Sequence, residues 1–321
     1  MAHRVRIFEQ GPPSVMHYEE VEVSAPGPSQ IRIKQEASGV NFVDTMFRDG
    51  TIKMPLPFDM GVEGAGIVEA IGEATRGFNV GDRVAYWFAP GAYTDQRLVQ
   101  ADLLVRLPQS VSAITAAALM AKGLTAWSAV KQIHQVVPGE TVLVNGAAGG
   151  VGLLVATWAK ALGALVIALV GSPSKAAALT QRGIPHVLDA NDPKWVSKVA
   201  HLTQGRGVDV SFELVGGPNF AKSVETLRDG AAIVHIGNAS GSIAVDKELL
   251  ASRSITFTKY STAQVIHNRH ILELASSDLF QALESNVFGE IEISTFSLAE
   301  ANRAHEALAA RTVTGSIVLT S

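Results

Sequence analysis

The sequence predicts an α/β protein in which a parallel-sheet domain is inserted into a second, mostly β domain. Three observations carry this. Residues 1 to about 115 alternate apolar and polar positions in short runs punctuated by glycine and proline, the pattern of half-buried strands. From about Met120 the texture changes to fully apolar strand-like runs that alternate with helix-like ones, as a sheet covered on both faces requires. After about Ala263 strand-like runs return, which lets the chain rejoin its first domain. The expected spans are 1–119 for the first part of the mostly β domain, 120–262 for the inserted domain and 263–321 for the return.

In chain order, RIFEQ, MHYEEVEV and QIRIKQEA read as strands, with APGPS as a turn-rich connection before the third. SGVNFVDTMFRDG reads as the one early helix, with Asn41 capping its start and Gly50 following its end. GVEGAGIVEAIG and VGDRVAYW add glycine-punctuated strands. In the inserted part TVLVNG is a strand, and Gly150 to Leu162 a helix stopped by Gly163. LVIALV, a helix from Pro173 to Arg182, HVLDA, GVDVSFELVG, a helix near Asn219 to Leu227 and AAIVHIGNASG continue the alternation. The tail reads as a helix in NRHILELASSDLFQALES, a strand in IEISTFSL, a helix in AEANRAHEALAAR and a last strand in GSIVLT.

Composition excludes several classes of function. The chain carries 26 basic and 30 acidic residues for a net charge of −4, so it has no positive footprint for nucleic acid. It has no cysteine, which rules out disulfides, thiolate nucleophiles and cysteine-ligated zinc. MAHRVRIFEQ has early basic residues but no apolar core, so no signal peptide is expected and a soluble cytoplasmic protein is. The apolar stretch Val142 to Lys175 is not read as a membrane span. Asn145, Lys160 and glycines at 146, 149, 150, 152 and 163 divide it into strand, turn and helix.

GAAGGVG lies directly after a strand and opens a helix, the context in which a glycine motif admits a pyrophosphate to backbone amides at a helix N-terminus. The spacing Gly146, Gly149, Gly152 differs from the common G-x-G-x-x-G, and a tight strand–helix turn without ligand is the competing reading. NAD-preferring sites place an acid about 20 residues on, at the end of the second strand. Between Thr141 and Leu188 this chain has no Asp or Glu, and GSPSK stands at that strand end instead. Ser172 suits an N-cap and Pro173 the first helical position, which puts Lys175 in a first turn where the helix dipole disfavours a cation. A bound 2′-phosphate offsets that cost, and the cofactor expected is NADPH. A solvated surface lysine is the competing reading of Lys175.

GETVLVNGAAGGVGLLVATWAK resembles the signature of the zinc-free quinone oxidoreductases, the zeta-crystallin branch of the medium-chain dehydrogenase/reductase superfamily. GVNFVDTMFRDG, GVEGAGIVEAIG, VGDRVAYW, MAKGLTAW, IGNASG and ARTVTGSIVLT extend the resemblance, in matching order, over essentially the whole chain. Thr157 stands where relatives usually have glutamine. The resemblance implies a Rossmann-type, doubly wound parallel-sheet domain inserted in a discontinuous, mostly β, GroES-like catalytic domain. It also implies Asn41 near the nicotinamide end and Lys122 with Thr125 along the cofactor. Gly149, Gly150 and Val151 would then meet the diphosphate, and Ser172 and Lys175 the 2′-phosphate. Gly237, Asn238 and Ser240 would lie beneath the nicotinamide ribose, with Tyr260 and Arg311 closing the remaining sides. Asn41 and Asp44 also fit a helix cap, GNASG a simple turn, and Arg311 a helix end that favours a cation.

The zinc branch of the superfamily has Gly-His-Glu where this chain reads Gly61-Val62-Glu63, so no Lewis acid is expected and no metal is assigned. His267 and His270 at i,i+3 lack convergent ligands and read as surface residues. The expected activity is NADPH-dependent reduction of a quinone by hydride transfer, with no side chain needed as nucleophile and no catalytic acid named. Asn41, Asp44, Met46, Trp87 and Phe88 are the candidate substrate-pocket residues. An enoyl or 2-alkenal reductase is the close alternative, and a non-enzymatic structural, regulatory or RNA-binding role the distant one. A homodimer is expected from the family, by pairing of exposed sheet edges.

Overall fold

The computed structural model describes residues 1–172, 176–260, 265, 267–310, 313 and 315–321. The chain forms two compact units, one of Met1–Ala121, Ile266–Phe280 and Ile291–Ser321, the other of Lys122–Val265 and Gln281–Glu290.

The first unit is mostly β. Its strands are β1 (Ala2–Ile7), β2 (Met16–Val21), β3 (Gln30–Val40), β4 (Phe58–Asp59), β5 (Glu63–Ile71), β6 (Arg83–Trp87), β7 (Gln96–Gln100) and β8 (Val105–Arg106). Helix α1 (Phe42–Asp49) follows β3, and α2 (Ala113–Trp127) follows β8. The long strand β3 organises the unit, pairing antiparallel with β5, β7 and the C-terminal strand. Ile31 and Ile33 point inward at the two-residue period of a strand and pack with Val68, Val84, Val99 and Leu104.

The second unit holds β9 (Thr141–Asn145), α3 (Gly150–Ala161), β10 (Leu165–Val170), α4 (Ala176–Gln181), β11 (His186–Asp189), α5 (Trp195–Leu202) and β12 (Val208–Glu213). It continues through α6 (Asn219–Glu225), β13 (Leu227–His235), α7 (Lys247–Ser252) and β14 (Thr256–Lys259). The six strands are parallel in the order β11-β10-β9-β12-β13-β14. Sequence order therefore reverses between β9 and β12, the switch point where doubly wound sheets bind ligands. Both of those strands are buried along their whole length, β9 as TVLVN and β12 as VDVSFE, in which Asp209, Ser211 and Glu213 alternate with apolar residues.

After helix α8 (Arg269–Glu284) come β15 (Ile293–Ser297), α9 (Ala301–Ala310) and β16 (Ser316–Thr320). β16 pairs antiparallel with β3, Ile317 opposite Val40, so the tail completes the first unit's sheet. Residues Gln281–Glu290 belong to the second unit although they follow a segment of the first. The Phe288 ring stands edge-on to Trp158 of α3 at 5.3 Å, and Arg182 Nε donates to the Phe288 carbonyl at 2.9 Å.

Helices α2, α5 and α7 lie outside the sequence reading, the first two for physical reasons. α2 is nearly all apolar and buried, so it shows no amphipathic period. With its π-helical continuation it forms Ala113–Ile133, the candidate span among the described residues by length and composition, and 83% of that window is buried inside the protein. α5 has Lys194 at its N-cap position, a residue that gives no start signal. β13 also begins earlier than its apolar run, at Leu227. Thr157 returns its hydroxyl to the Leu153 carbonyl at 2.8 Å within α3, so the residue that departs from the family pattern is absorbed by its own helix.

Near the start of β12, the buried Asp209 accepts from Arg206 Nη1 at 2.8 Å, Arg228 Nε at 2.6 Å and Thr141 N at 2.7 Å. Burial alone would raise this carboxyl, but the two guanidinium groups and the amide outweigh it and hold it well below the usual carboxylate range. A depressed folded-state pKa contributes stability above the unfolded value near ~4 and loses it as pH falls toward the folded value. Asp209→Asn should lower the unfolding free energy at pH 7 by about 2 kcal/mol, with the gap to wild type narrowing below about pH 4. Urea titrations across pH check this, and a gap independent of pH would contradict it.

Candidate functional site

In the second unit β9 ends at Asn145 and the chain turns through Gly146 into α3. A β-carbon on Gly152 would stand 2.2 Å from the Gly146 carbonyl oxygen, so strand and helix pack too closely there for any side chain. Gly149 is different. Its virtual β-carbon meets one protein atom within 4 Å, the Gly146 oxygen at 3.3 Å, and Gly149 and Gly150 are both exposed. Leu153 N bonds back to Gly149 O at 2.8 Å, and among the described residues no partner is found for the amides of Gly150, Val151 and Gly152 at the helix start. Bare backbone, free donors and the positive end of a dipole together fit a diphosphate. Lys122, first residue of this unit, carries its stem across Gly150, where a β-carbon would meet Cδ at 2.9 Å.

A carboxylate absent from the sequence reading builds the rest of this end. Glu213, fully buried at the end of β12, accepts from Asn145 Nδ2 at 3.0 and 2.8 Å and from the amides of Val215 and Gly216, both at 2.8 Å. Its own carbonyl accepts from Ile236 N at 2.7 Å and Gly237 N at 3.2 Å. One residue thus gathers the ends of β9, β12 and β13. The IGNASG loop is held further by Ser240 N to Val215 O at 2.7 Å, and Asn238 Oδ1 lies 2.9 Å from His235 Nε2. Asn238 and Ser240 themselves remain exposed. Thr125 Oγ1 and Tyr260 Oη stand 3.2 Å apart, so two residues expected along the cofactor meet. Ser172 lies two residues beyond β10, beside Gly171, whose carbonyl accepts from Asn191 Nδ2 at 2.9 Å. Lys175 and Arg311 lie outside the described residues.

In the first unit α1 starts at Asn41, whose backbone N–H donates to Asp44 Oδ2 at 2.8 Å. Its side-chain amide donates to Glu63 Oε2 at 2.7 Å, and Glu63 Oε1 accepts from Ala121 N of α2 at 2.6 Å. The buried Glu63 therefore fixes Asn41 from a neighbouring strand. Asp44 is fully buried and also accepts from the Tyr93 hydroxyl at 3.1 Å. Met46 is half-buried, while Phe42 is 68% exposed. At the end of β6 the Trp87 and Phe88 rings pack edge-to-face at 5.4 Å. Phe88 holds φ at 63°, a strained conformation for an aromatic residue of the kind that collects at functional sites. Glu63, Glu213, Tyr93 and His305 were not singled out from sequence. Each acid stands at one end of a strand that holds a second acid, Glu69 in β5 and Asp209 in β12, so neither stood out in the sequence.

The chain matches the family model for an alcohol dehydrogenase GroES-like domain over residues 27–109 and that for a zinc-binding dehydrogenase over residues 150–277. The donor set does not fit the zinc of the second description. The chain has no cysteine, Val62 precedes Glu63, and among the described residues no three His, Asp or Glu side chains converge to hold an ion. The chain is 38% identical to a quinone oxidoreductase of Pseudomonas aeruginosa, with 99% of each covered. It is 36% identical to a 2-haloacrylate reductase of a Burkholderia species, over 98% of this chain and 97% of that one. Among solved structures it is similar to the Escherichia coli quinone oxidoreductase complexed with NADPH, at TM-score 0.92 and 33% identity over 99% of this chain and 100% of that one.

The contrast between the two glycines is testable. Gly152→Ala should cost about 1–3 kcal/mol of stability through forced separation of strand and helix. Gly149→Ala should stay within about 0.5 kcal/mol of wild type and instead weaken dinucleotide binding. Denaturant midpoints and a binding titration on both variants decide, and equal stability losses would remove the argument that the open side of Gly149 serves a ligand.

Proposed function

Since this chain belongs to the quinone oxidoreductase branch of the medium-chain dehydrogenase/reductase superfamily, we propose that it reduces quinones with NADPH by metal-free hydride transfer. The single observation that carries the nucleotide side is the exposed Gly149–Gly150 turn, whose helix-start amides have no partner within α3. NADPH, when bound, supplies the hydride. The chain binds and orients. The amides of Gly150 and Val151, with Gly149 kept bare, receive the diphosphate, and Lys122 adds charge beside Gly150. Ser172 and Lys175 receive the 2′-phosphate, in a strand-end region that contains no acid to repel it. Gly237, Asn238, Ser240, Thr125, Tyr260 and Arg311 line the nicotinamide half. Asn41, supported by Glu63 and Asp44, takes the nicotinamide end of the first unit, and Met46, Trp87 and Phe88 are substrate walls. A conjugated quinone is electrophilic without a Lewis acid, so orientation and exclusion of water suffice for the hydride step. The proton that completes the hydroquinone comes from water or a side-chain hydroxyl, and no catalytic acid is named.

The haloacrylate-reducing relative favours a second reading, reduction of an activated enone at the same site. The reading also carries a cytoplasmic homodimer. β14 is one of the two edge strands of the parallel sheet, and it is more exposed than β11 at the other edge, so pairing is proposed there.

With NADPH and a chelator present, small quinones should be reduced fast, saturated aldehydes slowly or not at all, and primary alcohols should not reduce NADP. Alcohols as the best substrates, or activity lost to the chelator and restored by zinc, would overturn the proposal.

Lys175→Glu should weaken NADPH at least about tenfold and NADH far less. A charge-assisted hydrogen bond to the 2′-phosphate is worth about 1.5–3 kcal/mol, and NADH has no phosphate to lose. Dissociation constants for both cofactors on both proteins decide, and equal losses would make Lys175 a solvated surface residue.

A further inference from the structure

A line of buried polar side chains in the first unit is left unused by the cofactor contacts above. Arg48 Nη1 lies 3.0 Å from His305 Nδ1, His305 Nε2 lies 3.0 Å from the Tyr93 hydroxyl, and that hydroxyl donates to Asp44 Oδ2 at 3.1 Å. Tyr93, His305 and Asp44 have no solvent exposure, and Arg48 has 7%. The line joins elements distant in sequence. Arg48 belongs to α1 and donates from Nε to the Gly11 carbonyl at 3.0 Å, Tyr93 precedes β7, and His305 sits on α9.

The chemistry of the groups gives the line one direction. A guanidinium has only donors, so His305 Nδ1 accepts from Arg48. Burial, and then the Arg48 charge, push the His305 pKa down to about 3, so the ring is neutral and carries its proton on Nε2. Nε2–H donates to the Tyr93 oxygen, which leaves the hydroxyl proton free to go to Asp44. Burial and the neighbouring Asp44 hold the Tyr93 pKa well above its ordinary value, so that proton stays on the tyrosine. The same Asp44 oxygen accepts the Asn41 backbone N–H at 2.8 Å, and the Asn41 side chain is tied to Glu63.

We propose that Tyr93 and His305 are positioning residues of the reduction site, forming with Arg48 a one-way line of donors that ends on Asp44 and fixes the Asn41 end of α1. This rests on the reading of Asn41 as the residue at the nicotinamide end. Asp44, expected from sequence in the substrate pocket, is fully buried, so in this proposal the line acts on substrate only through Asn41. It acts through Asp44, where the Tyr93 hydroxyl and the Asn41 amide converge on one oxygen, so loss of the first changes how that oxygen holds the second. A displacement of a fraction of an ångström at a hydride-transfer site lowers the chemical step while leaving the remote phosphate contacts intact.

Tyr93→Phe, His305→Phe and His305→Gln in the full-length protein test this. The readouts are stopped-flow kcat with 1,4-benzoquinone, the isotope effect with C4-deuterated NADPH, NADPH affinity, melting temperature, and hydrogen exchange of the Asn41–Thr45 amides. Tyr93→Phe and His305→Phe should lower kcat between about tenfold and about a hundredfold and enlarge the isotope effect, with NADPH affinity within about twofold of wild type. Exchange at Asn41 should quicken. His305→Gln, which keeps an N–H donor and a carbonyl acceptor, should fall between His305→Phe and wild type in kcat. Lower melting temperatures with unchanged kcat and unchanged Asn41 exchange would reduce the line to a structural role and overturn the proposal. A wild-type protein inert toward quinones would instead overturn the reading of function, and Asn41 exchange in Tyr93→Phe would then decide the line alone, unchanged rates counting against it.

Discussion

The nucleotide end of this protein depends on a carboxylate at the switch point of its parallel sheet. Glu213 and Asn145 are register partners on β12 and β9, and the side-chain bond between them closes the gap where sequence order reverses. A carboxylate in that place would be costly without partners. Its oxygens accept the Asn145 amide and the Val215 and Gly216 N–H groups, so the buried charge is solvated by donors that belong to the loops themselves. The energy that stabilises the charge is therefore the same energy that shapes the turn into α3 and the platform under IGNASG. A preformed loop has less ordering entropy to lose when a dinucleotide binds, which is how rigidity becomes affinity.

The first unit uses the same device. Glu63 stands on β5 and gathers the Asn41 side chain and the Ala121 amide, while Asp44 gathers the Asn41 backbone and Tyr93. In each case a buried acid fixes several chain segments about one point, through hydrogen bonds from side-chain and backbone donors.

Much of the fold was legible because local sterics wrote it into the sequence. The GAAGGVG turn announces itself because Gly152 cannot carry a β-carbon, and the apolar runs of β9 and β10 announce a sheet covered on both faces. The bounds of α1 were legible from Asn41, Asp44 and Gly50, whose roles are settled within ten residues of chain. Glu213, Glu63 and His305 were not. Asn145 and Glu213 are 68 residues apart, and Arg48 and His305 are 257 apart, so no spacing rule connects them. α2 escaped for the opposite reason, since a helix apolar on every side has no period to detect.

The central claim is that Glu213 holds the nucleotide end in its binding shape, and the NADPH dissociation constant of Glu213→Gln tests it most directly. Glutamine keeps the size and one acceptor but sets an N–H₂ group against the Asn145 amide, donor against donor. Affinity should fall by at least about tenfold with Lys122, Ser172 and Lys175 all intact, since loss of a buried hydrogen bond to a charged group costs about 1.5–3 kcal/mol. Wild-type affinity in Glu213→Gln would contradict it.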